Sequence, residues 1–204
     1  MLSDGTIVKK YSGGNAYYQM AQSIIHLPYI VHVHSLFLTC GYCNMLTVTK
    51  SVRLNKVVNK VYIAYSFASR SLPIFTLLHS LWYVPKPTKS SPRITNVKHI
   101  PVDIHDMLTP VGLAHWLMGD GGWTKMGIHL ATNSFSREDN LRLIQVLNDK
   151  FGIVATLHAS NRIFLPVASA AKFTSLCAPY MEPSMMYKVD RSLPRYIHTV
   201  DTNN

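Results

Sequence analysis

Leu113-Ala114-His115-Trp116-Leu117-Met118-Gly119-Asp120-Gly121-Gly122 is the stretch on which the fold turns. Its apolar run predicts a buried helix that stops at an Asp followed by two glycines. A fainter copy of its end, Met1-Leu2-Ser3-Asp4-Gly5, opens the chain. Two such ends in one chain give two acidic groups, each expected at the tip of a buried helix. A helix C-terminus concentrates negative charge from its dipole and free carbonyls. An Asp there makes an anionic spot suited to a hard cation with oxygen ligands.

The sequence on either side of the decisive stretch reads as a repeat. Downstream, the helix Leu108 to Met118 is followed by strands at Trp123 to Lys125 and Gly127 to Thr132. Ser136 then caps a helix with Glu138 and Asp139 in its first turn and a buried stripe of Leu141, Ile144, Leu147 and Phe151. Strands follow at Ile153 to Leu157 and Arg162 to Leu165 around a Ser160-Asn161 turn, and a helix from Ala168 to Tyr180 closes this half. Upstream, strands at Thr6 to Lys9 and Ala16 to Ser23 flank a Gly13-Gly14-Asn15 turn. A helix from Leu27 to Thr39 has Pro28 in its first turn and Ile30, Val33 and Phe37 on one face. Strands at Val52 to Leu54 and Val61 to Ala68 surround a basic turn, and a helix runs from Pro73 to Tyr83. Val84 to Val102, rich in Pro and Ser, reads as a connection without regular structure.

Short echoes tie the halves together. Phe75-Thr76-x-Leu78 matches Phe173-Thr174-x-Leu176, Tyr83-x-Pro85 matches Tyr180-x-x-Pro183, and Gln22-Ser23 answers Asn133-Ser134. The expected organisation is an α+β chain with an N-terminal half over 1–84, a linker over 85–107 and a C-terminal half over 108–204.

Charge points to the partner. The formal net charge is +10. Before Asp103 the one acidic residue is Asp4, against Lys9, Lys10, Lys50, Arg53, Lys56, Lys60, Arg70, Lys86, Lys89, Arg93 and Lys98. A surface this one-sided repels itself unless a polyanion neutralises it, which favours nucleic acid over an anionic membrane or a ribosome surface. The nearest approach to a spanning segment, Ile24 to Cys40, is interrupted by His26, Pro28, His32 and His34 and suits a core helix, so no membrane partner is expected. No signal or transit sequence is read at the start. Three cysteines argue against a disulfide scaffold. Cys40-Gly41-Tyr42-Cys43 lacks the second ligand pair of a zinc site and the βαβ setting of a redox motif, and reads as two small thiols flanking a helix end.

With these residues in order, Leu113 to Gly121 resembles the LAGLIDADG motif of homing endonucleases and intron maturases, in the two-motif form of fungal mitochondrial and other organellar introns. Leu108-Thr109-Pro110, Thr132-Asn133-Ser134-Phe135, Ser69-Arg70-Ser71-Leu72-Pro73 and Pro183-Ser184-Met185-Met186-Tyr187-Lys188 resemble the same family's phrasing. The resemblance implies two pseudo-symmetric αββαββα halves forming a saddle over the DNA major groove, where alternate strand side chains read base edges and cations hold phosphates. It also implies a monomer with an internal pseudo-dimer, a double-stranded DNA target and a mitochondrial setting. The implied activity is a site-specific, Mg²⁺-dependent double-strand cut by phosphodiester hydrolysis. A maturase acting on its host intron RNA, or a degenerate nucleic-acid-binding remnant, is the alternative.

The resemblance assigns roles residue by residue. Asp4 and Asp120 are the catalytic metal ligands, with the carbonyls of Ser3 and Gly119 adding oxygens. Gly5 and Gly121 are expected to let the chain leave each helix in a conformation other residues resist. Gln22 and Asn133 stand where the family places a polar residue beside the attacking water, or else form strand-end hydrogen bonds. His26 and Arg137 begin the next helices, facing the scissile phosphates or solvent. Lys98 and Lys188 match the family's basic residues near the active site, where a positive charge stabilises the phosphate; simple phosphate contact is the other reading. Tyr17, Gln19, Lys60, Arg70, Lys125, His129 and Arg162 are the groove-reading candidates. The first motif is short: Met1, Leu2 and Ser3 precede Asp4, whereas Leu108 to Gly119 precede Asp120. It is therefore expected to be the remnant of a longer reading frame or a decaying copy.

Overall fold

The computed structural model describes residues 1–57, 59–88 and 91–195. Val58, Lys89 of the basic set, Ser90 and residues 196–204 lie outside it. The chain divides into two compact units. Asp4–Thr76 with Glu182–Asn204 forms one, called N-terminal here, and Met1–Ser3 with Leu77–Met181 forms the other, called C-terminal.

The N-terminal unit holds β1 (Thr6–Val8), β2 (Tyr17–Ser23), α1 (Leu27–Thr39), β3 (Thr49–Asn55), β4 (Lys60–Ala68) and the start of α2 (Pro73–Trp82). Its antiparallel sheet runs β1-β2-β4-β3. One face is apolar: Met20 pairs with Phe67, and both are buried. Tyr29, Ile30 and Val33 of α1 are buried as well. Phe37 binds this layer through rings, 4.6 Å from Tyr18, 5.3 Å from Phe67 and 6.1 Å from Phe75. Such aromatic clusters add to burial through edge and stacked contacts. Every residue of β3 is exposed, so the outer hairpin stands clear of the core.

Residues 1–5 hold no helical turn, so Asp4 does not sit at a helix tip. Three residues cannot close the hydrogen bonds that nucleate a helix. Leu2 is nevertheless buried, in the C-terminal unit.

The C-terminal unit continues with β5 (Tyr83–Thr88), β6 (Ser91–Lys98), α3 (Ile104–Met107), α4 (Pro110–Asp120), β7 (Gly121–Thr124), β8 (Gly127–Leu130), α5 (Arg137–Phe151), β9 (Thr156–Leu157), β10 (Ile163–Pro166) and α6 (Val167–Cys177). The sheet order β7-β8-β10-β9 repeats that of the first sheet. Its core contains Leu113, Trp116, Leu117, Ile128, Leu130, Leu143, Leu147, Ile163, Leu165 and Phe173, all fully buried. Helix α4 packs on α6 and is apolar around its circumference, as a core helix must be.

Several expectations need correction. The proline-rich stretch is a two-stranded ribbon, with Tyr83 paired to Lys98 and Pro85 to Asn96. A two-stranded ribbon is all edge, and edge positions tolerate the missing proline N–H. Leu108 does not begin α4; it ends α3 in extended conformation. Pro110 holds Thr109 extended at φ −120°, and the Thr109 side chain accepts from the Gly112 N–H. The buried stripe of α5 is Asp139, Asn140, Leu143, Val146 and Leu147, while Leu141 is 48% exposed. Asn140 can be buried because its Nδ2 donates to the carbonyls of Thr132 and Asn161, each at 3.2 Å. The Ser136 cap is present: its hydroxyl accepts from the Asp139 N–H at 3.0 Å, completing a capping box.

Glycine matters at α4 for space, not for backbone freedom. Gly121 has φ −86°, open to any residue. A Cβ there would stand 2.7 Å from the Leu117 carbonyl oxygen. Gly5 is likewise crowded by the Tyr18 ring. Backbone freedom is needed at Gly127, where φ is +146° and a Cβ would overlap the Leu165 carbonyl across the β8–β10 ladder. Gly127→Ala is expected to cost about 3 kcal/mol by forcing strained backbone and parting that ladder. The check is the shift in chemical-denaturation midpoint.

Candidate functional site

In the N-terminal unit, Asp4 lies in a bend just before β1. Gln22, near the end of β2, donates from Nε2 to Asp4 Oδ2 at 2.6 Å. This is a short, charge-assisted hydrogen bond that fixes the carboxylate. His26, the last residue of a 3-10 turn before α1, feels the same group. Burial lowers the His26 pKa, Lys188 and Arg195 lower it further, and Asp4 opposes them. Lys188 ends the 3-10 segment Pro183–Lys188 and is 8% exposed. Asp4, Gln22, His26, Lys188 and Arg195 thus form one neighbourhood.

The C-terminal unit carries its own Asp and Lys. Asp120 is the last residue of α4, half-buried, and its carbonyl accepts from the Ala131 N–H at 2.9 Å. The chain passes from there into β7 at Gly121, paired with Leu130. Lys98 ends β6, and its Nζ donates to the Met1 carbonyl at 3.0 Å. The Met1 amine is pushed down to about 5 by burial and then by Lys98, while Asp120 pulls it back up. Asp120 and Lys98 therefore both lie within electrostatic reach of one point.

Asn133 does not match Gln22 in setting. The second strand ends at Leu130, and the Thr132 N–H to Leu130 carbonyl bond turns the chain before Asn133 is reached. Asn133 is an exposed turn residue.

The outward faces of the sheets follow from register. Met20 and Phe67 point inward, so Tyr17 and Gln19 share the opposite face with Ala68, Ser66, Tyr62 and Lys60. Arg53 lies opposite Tyr62 and joins them. Lys60 Nζ sits 5.6 Å from the Tyr62 ring centroid, and Lys10 Nζ sits 5.4 Å from that of Tyr17. Arg70 is exposed just past β4. In the other unit Lys125 lies at the β7–β8 turn, and Arg162 is exposed just before β10. His129 faces outward between the buried Ile128 and Leu130. Arg137 opens α5 and is exposed. Sequence reading missed Arg53 and Tyr62, which only the β3–β4 register brings forward, and Arg195.

Other sequence features carry no site. Cys40 is exposed, whereas Cys43 and Cys177 are buried. Burial raises the Cys43 thiol pKa and pushes that of Cys177 up to about 12, so neither is a thiolate at neutral pH. Among the described residues no three His, Cys, Asp or Glu gather as metal ligands. No described helix is long and apolar enough to cross a membrane.

Two αβ units with the same sheet order, each holding an Asp and a Lys that act on one common group, define a class of proteins built by internal repetition. The sequence profile of the LAGLIDADG DNA endonuclease family matches residues 1–173, and the chain belongs to that family. The cytochrome b mRNA maturase bI2 of Saccharomyces cerevisiae is 31% identical over 199 residues, 95% of this chain and 46% of the relative. The intron-encoded endonuclease ai4 of Dictyostelium discoideum is 28% identical over 164 residues, 77% of this chain and 98% of that one. The structure of the homing endonuclease I-WcaI bound to its DNA recognition sequence matches with a TM-score of 0.75 and 25% identity, over 92% of this chain and 81% of that one. The chain thus spans about half the length of the yeast maturase, 46%.

Proposed function

We propose that this protein is an intron-encoded homing endonuclease that makes a site-specific, Mg²⁺-dependent double-strand cut in DNA. The observation that carries the reading is a carboxylate and a lysine gathered around one group in each unit: Asp4, hydrogen-bonded to Gln22, and Lys188 both act on His26, and Asp120 and Lys98 both act on the Met1 amine. Two strands need two hydrolytic events, and two such carboxylates supply one each.

The donor set suits Mg²⁺. Its members are carboxylates and backbone carbonyls, and among the described residues no three His, Cys, Asp or Glu side chains gather as ligands. Mg²⁺ is commonly held by one or two carboxylates plus waters and substrate phosphates. Asp4 would hold one such cation in its unit and Asp120 another in the other unit, with the carbonyls of Ser3 and Gly119 as the further oxygen donors that the family resemblance implies. When bound, the cation acidifies water and neutralises charge on the phosphate. Gln22 keeps the Asp4 carboxylate in one orientation; Asn133, exposed in the turn after β8, is left to meet a bound duplex rather than the Asp120 carboxylate. Lys188 and Lys98 place positive charge where the phosphate oxygens gain negative charge. His26 and Arg137 contact flanking phosphates. Tyr17, Gln19, Lys60 and Arg70, with Lys125, His129 and Arg162, meet the duplex through the outward sheet faces. The protein works as a monomer in the mitochondrion.

Gln22→Ala leaves the carboxylate but frees it to rotate. It is expected to slow cutting by about 10- to 100-fold with duplex affinity unchanged, since supporting contacts of this kind are worth that much at metal sites. Single-turnover cleavage beside gel-shift titration checks it.

The maturase names of the yeast relatives favour one second reading, RNA-binding support of splicing. Competition between the intronless allele of the host gene and the excised intron RNA separates the two. Homing predicts preference for that duplex over unrelated DNA by about 10³-fold or more at physiological salt. Preference for the intron RNA, with no discrimination among duplexes, would assign the protein to splicing.

A further inference from the structure

The outward face of the C-terminal sheet holds a pair whose close approach the duplex contact proposed for His129 does not require. Nε2 of His129 and Nδ1 of His158 share a hydrogen bond at 3.2 Å, a contact that a bound cation would replace, although 29 residues separate them in the chain. Strand register brings them together. His129 and Thr156 both lie opposite Phe164 of β10, from either side. His158, two residues past Thr156, returns to the same face. Its N–H donates to the Arg162 carbonyl at 3.0 Å, which continues the pairing beyond β9. Phe164 forms a floor under both imidazoles, with centroids at 4.8 Å from His129 and 4.6 Å from His158. The two rings cross at 74° with centroids 4.9 Å apart. They are therefore packed side chains whose nitrogens are held at a fixed separation and reach solvent.

We propose that His129 and His158 form a binding site for a borderline transition-metal dication of the zinc type, distinct from the oxygen-donor positions at Asp4 and Asp120. The separation fits. With metal–nitrogen bonds of about 2.0–2.1 Å, nitrogens 3.2 Å apart subtend about 100° at the cation, between octahedral and tetrahedral values. The chemistry separates the two kinds of site: imidazole suits zinc, nickel and copper, whereas carboxylate and carbonyl oxygens suit Mg²⁺. Exposure of His158 leaves room for water as the remaining ligands. The protonation state also fits. Burial, His158 and Arg162 all lower the His129 pKa, which favours the neutral ring that metal binding requires. Arg162 opposes a cation by repulsion and holds the affinity down.

Zn²⁺ titrated calorimetrically into the full chain, with Mg²⁺ in large excess, reads the site directly. One binding event is expected, weakened about 10-fold or more in His158→Ala and strengthened in Arg162→Gln. It should fade in acid, at a pH below the ordinary histidine range because the His129 pKa is lowered, as that ring takes up its proton. In parallel, Ni²⁺ should broaden the ring-proton NMR signals of His129 and His158 before those of His26, His32, His105 and His115. His158 is exposed, so His158→Ala is expected to fold; His158→Gln repeats the test with a side chain closer in bulk. Equal Zn²⁺ affinity in the wild type and both His158 variants, or broadening spread evenly over the histidines, overturns the proposal.

Discussion

Asp120→Asn is expected to abolish cutting while leaving the folded protein and its grip on DNA intact. The substitution keeps side-chain shape at the end of α4 and spares the backbone bond from the Ala131 N–H to the Asp120 carbonyl. It removes the charge that would hold Mg²⁺. Metal-assisted charge stabilisation is worth several kcal/mol, and about 4 kcal/mol corresponds to about 10³-fold in rate. Stability should move the other way. A carboxylate at a helix C-terminus faces the negative end of the dipole, so its neutralisation should stabilise α4 by about 0.3–1 kcal/mol. Single-turnover cleavage with denaturation on the same preparation gives both readings. Cutting at the wild-type rate would remove Asp120 from the chemistry. Loss of cutting accompanied by unfolding would make it a structural residue.

Trp116→Ala is expected to be the most destabilising single change. Among the described residues Trp116 is the largest fully buried side chain, on the helix that ends in Asp120. Truncating a buried Trp costs about 3–5 kcal/mol, against a total stability of about 5–15 kcal/mol for a typical domain. Trp116→Phe should behave differently. The indole Nε1 is buried without a hydrogen-bond partner, so the smaller ring also removes an unsatisfied donor. The gain offsets part of the lost packing, and a net cost near 1 kcal/mol or below is expected. Urea denaturation of the two variants checks the contrast. A similar large loss in both would mean that the indole N–H contributes to stability.

Much of this fold is written locally. Helix α5 is announced by Ser136 and Asp139, which cap each other, and α1 by Pro28 and the face carrying Ile30 and Val33. These signals act within one turn, so they survive without tertiary context. What depends on partners was less legible. The proline ribbon forms because its strands pair with each other, which composition does not reveal. The buried stripe of α5 includes Asn140, and its burial makes sense only with the Thr132 and Asn161 carbonyls beside it. Leu141 reads as core from hydrophobicity and lies outside. The need for glycine at position 121 is visible as a sequence motif, but its cause is contact with Leu117, not a special backbone angle. At the site, Asp4, Gln22 and Lys188 were legible through the family's phrasing. Arg53, Tyr62 and His158 were not, because strand register decides which side chains share a face.

The most direct test of homing activity is to sequence both ends of the break made in the intronless allele of the host gene. In Mg²⁺ the purified protein should cut each strand at one defined phosphodiester within a single site, and EDTA should stop both cuts. Metal-independent or scattered breaks, or an intact duplex together with splicing that fails without the protein, would contradict the assignment of Asp4 and Asp120 to DNA hydrolysis.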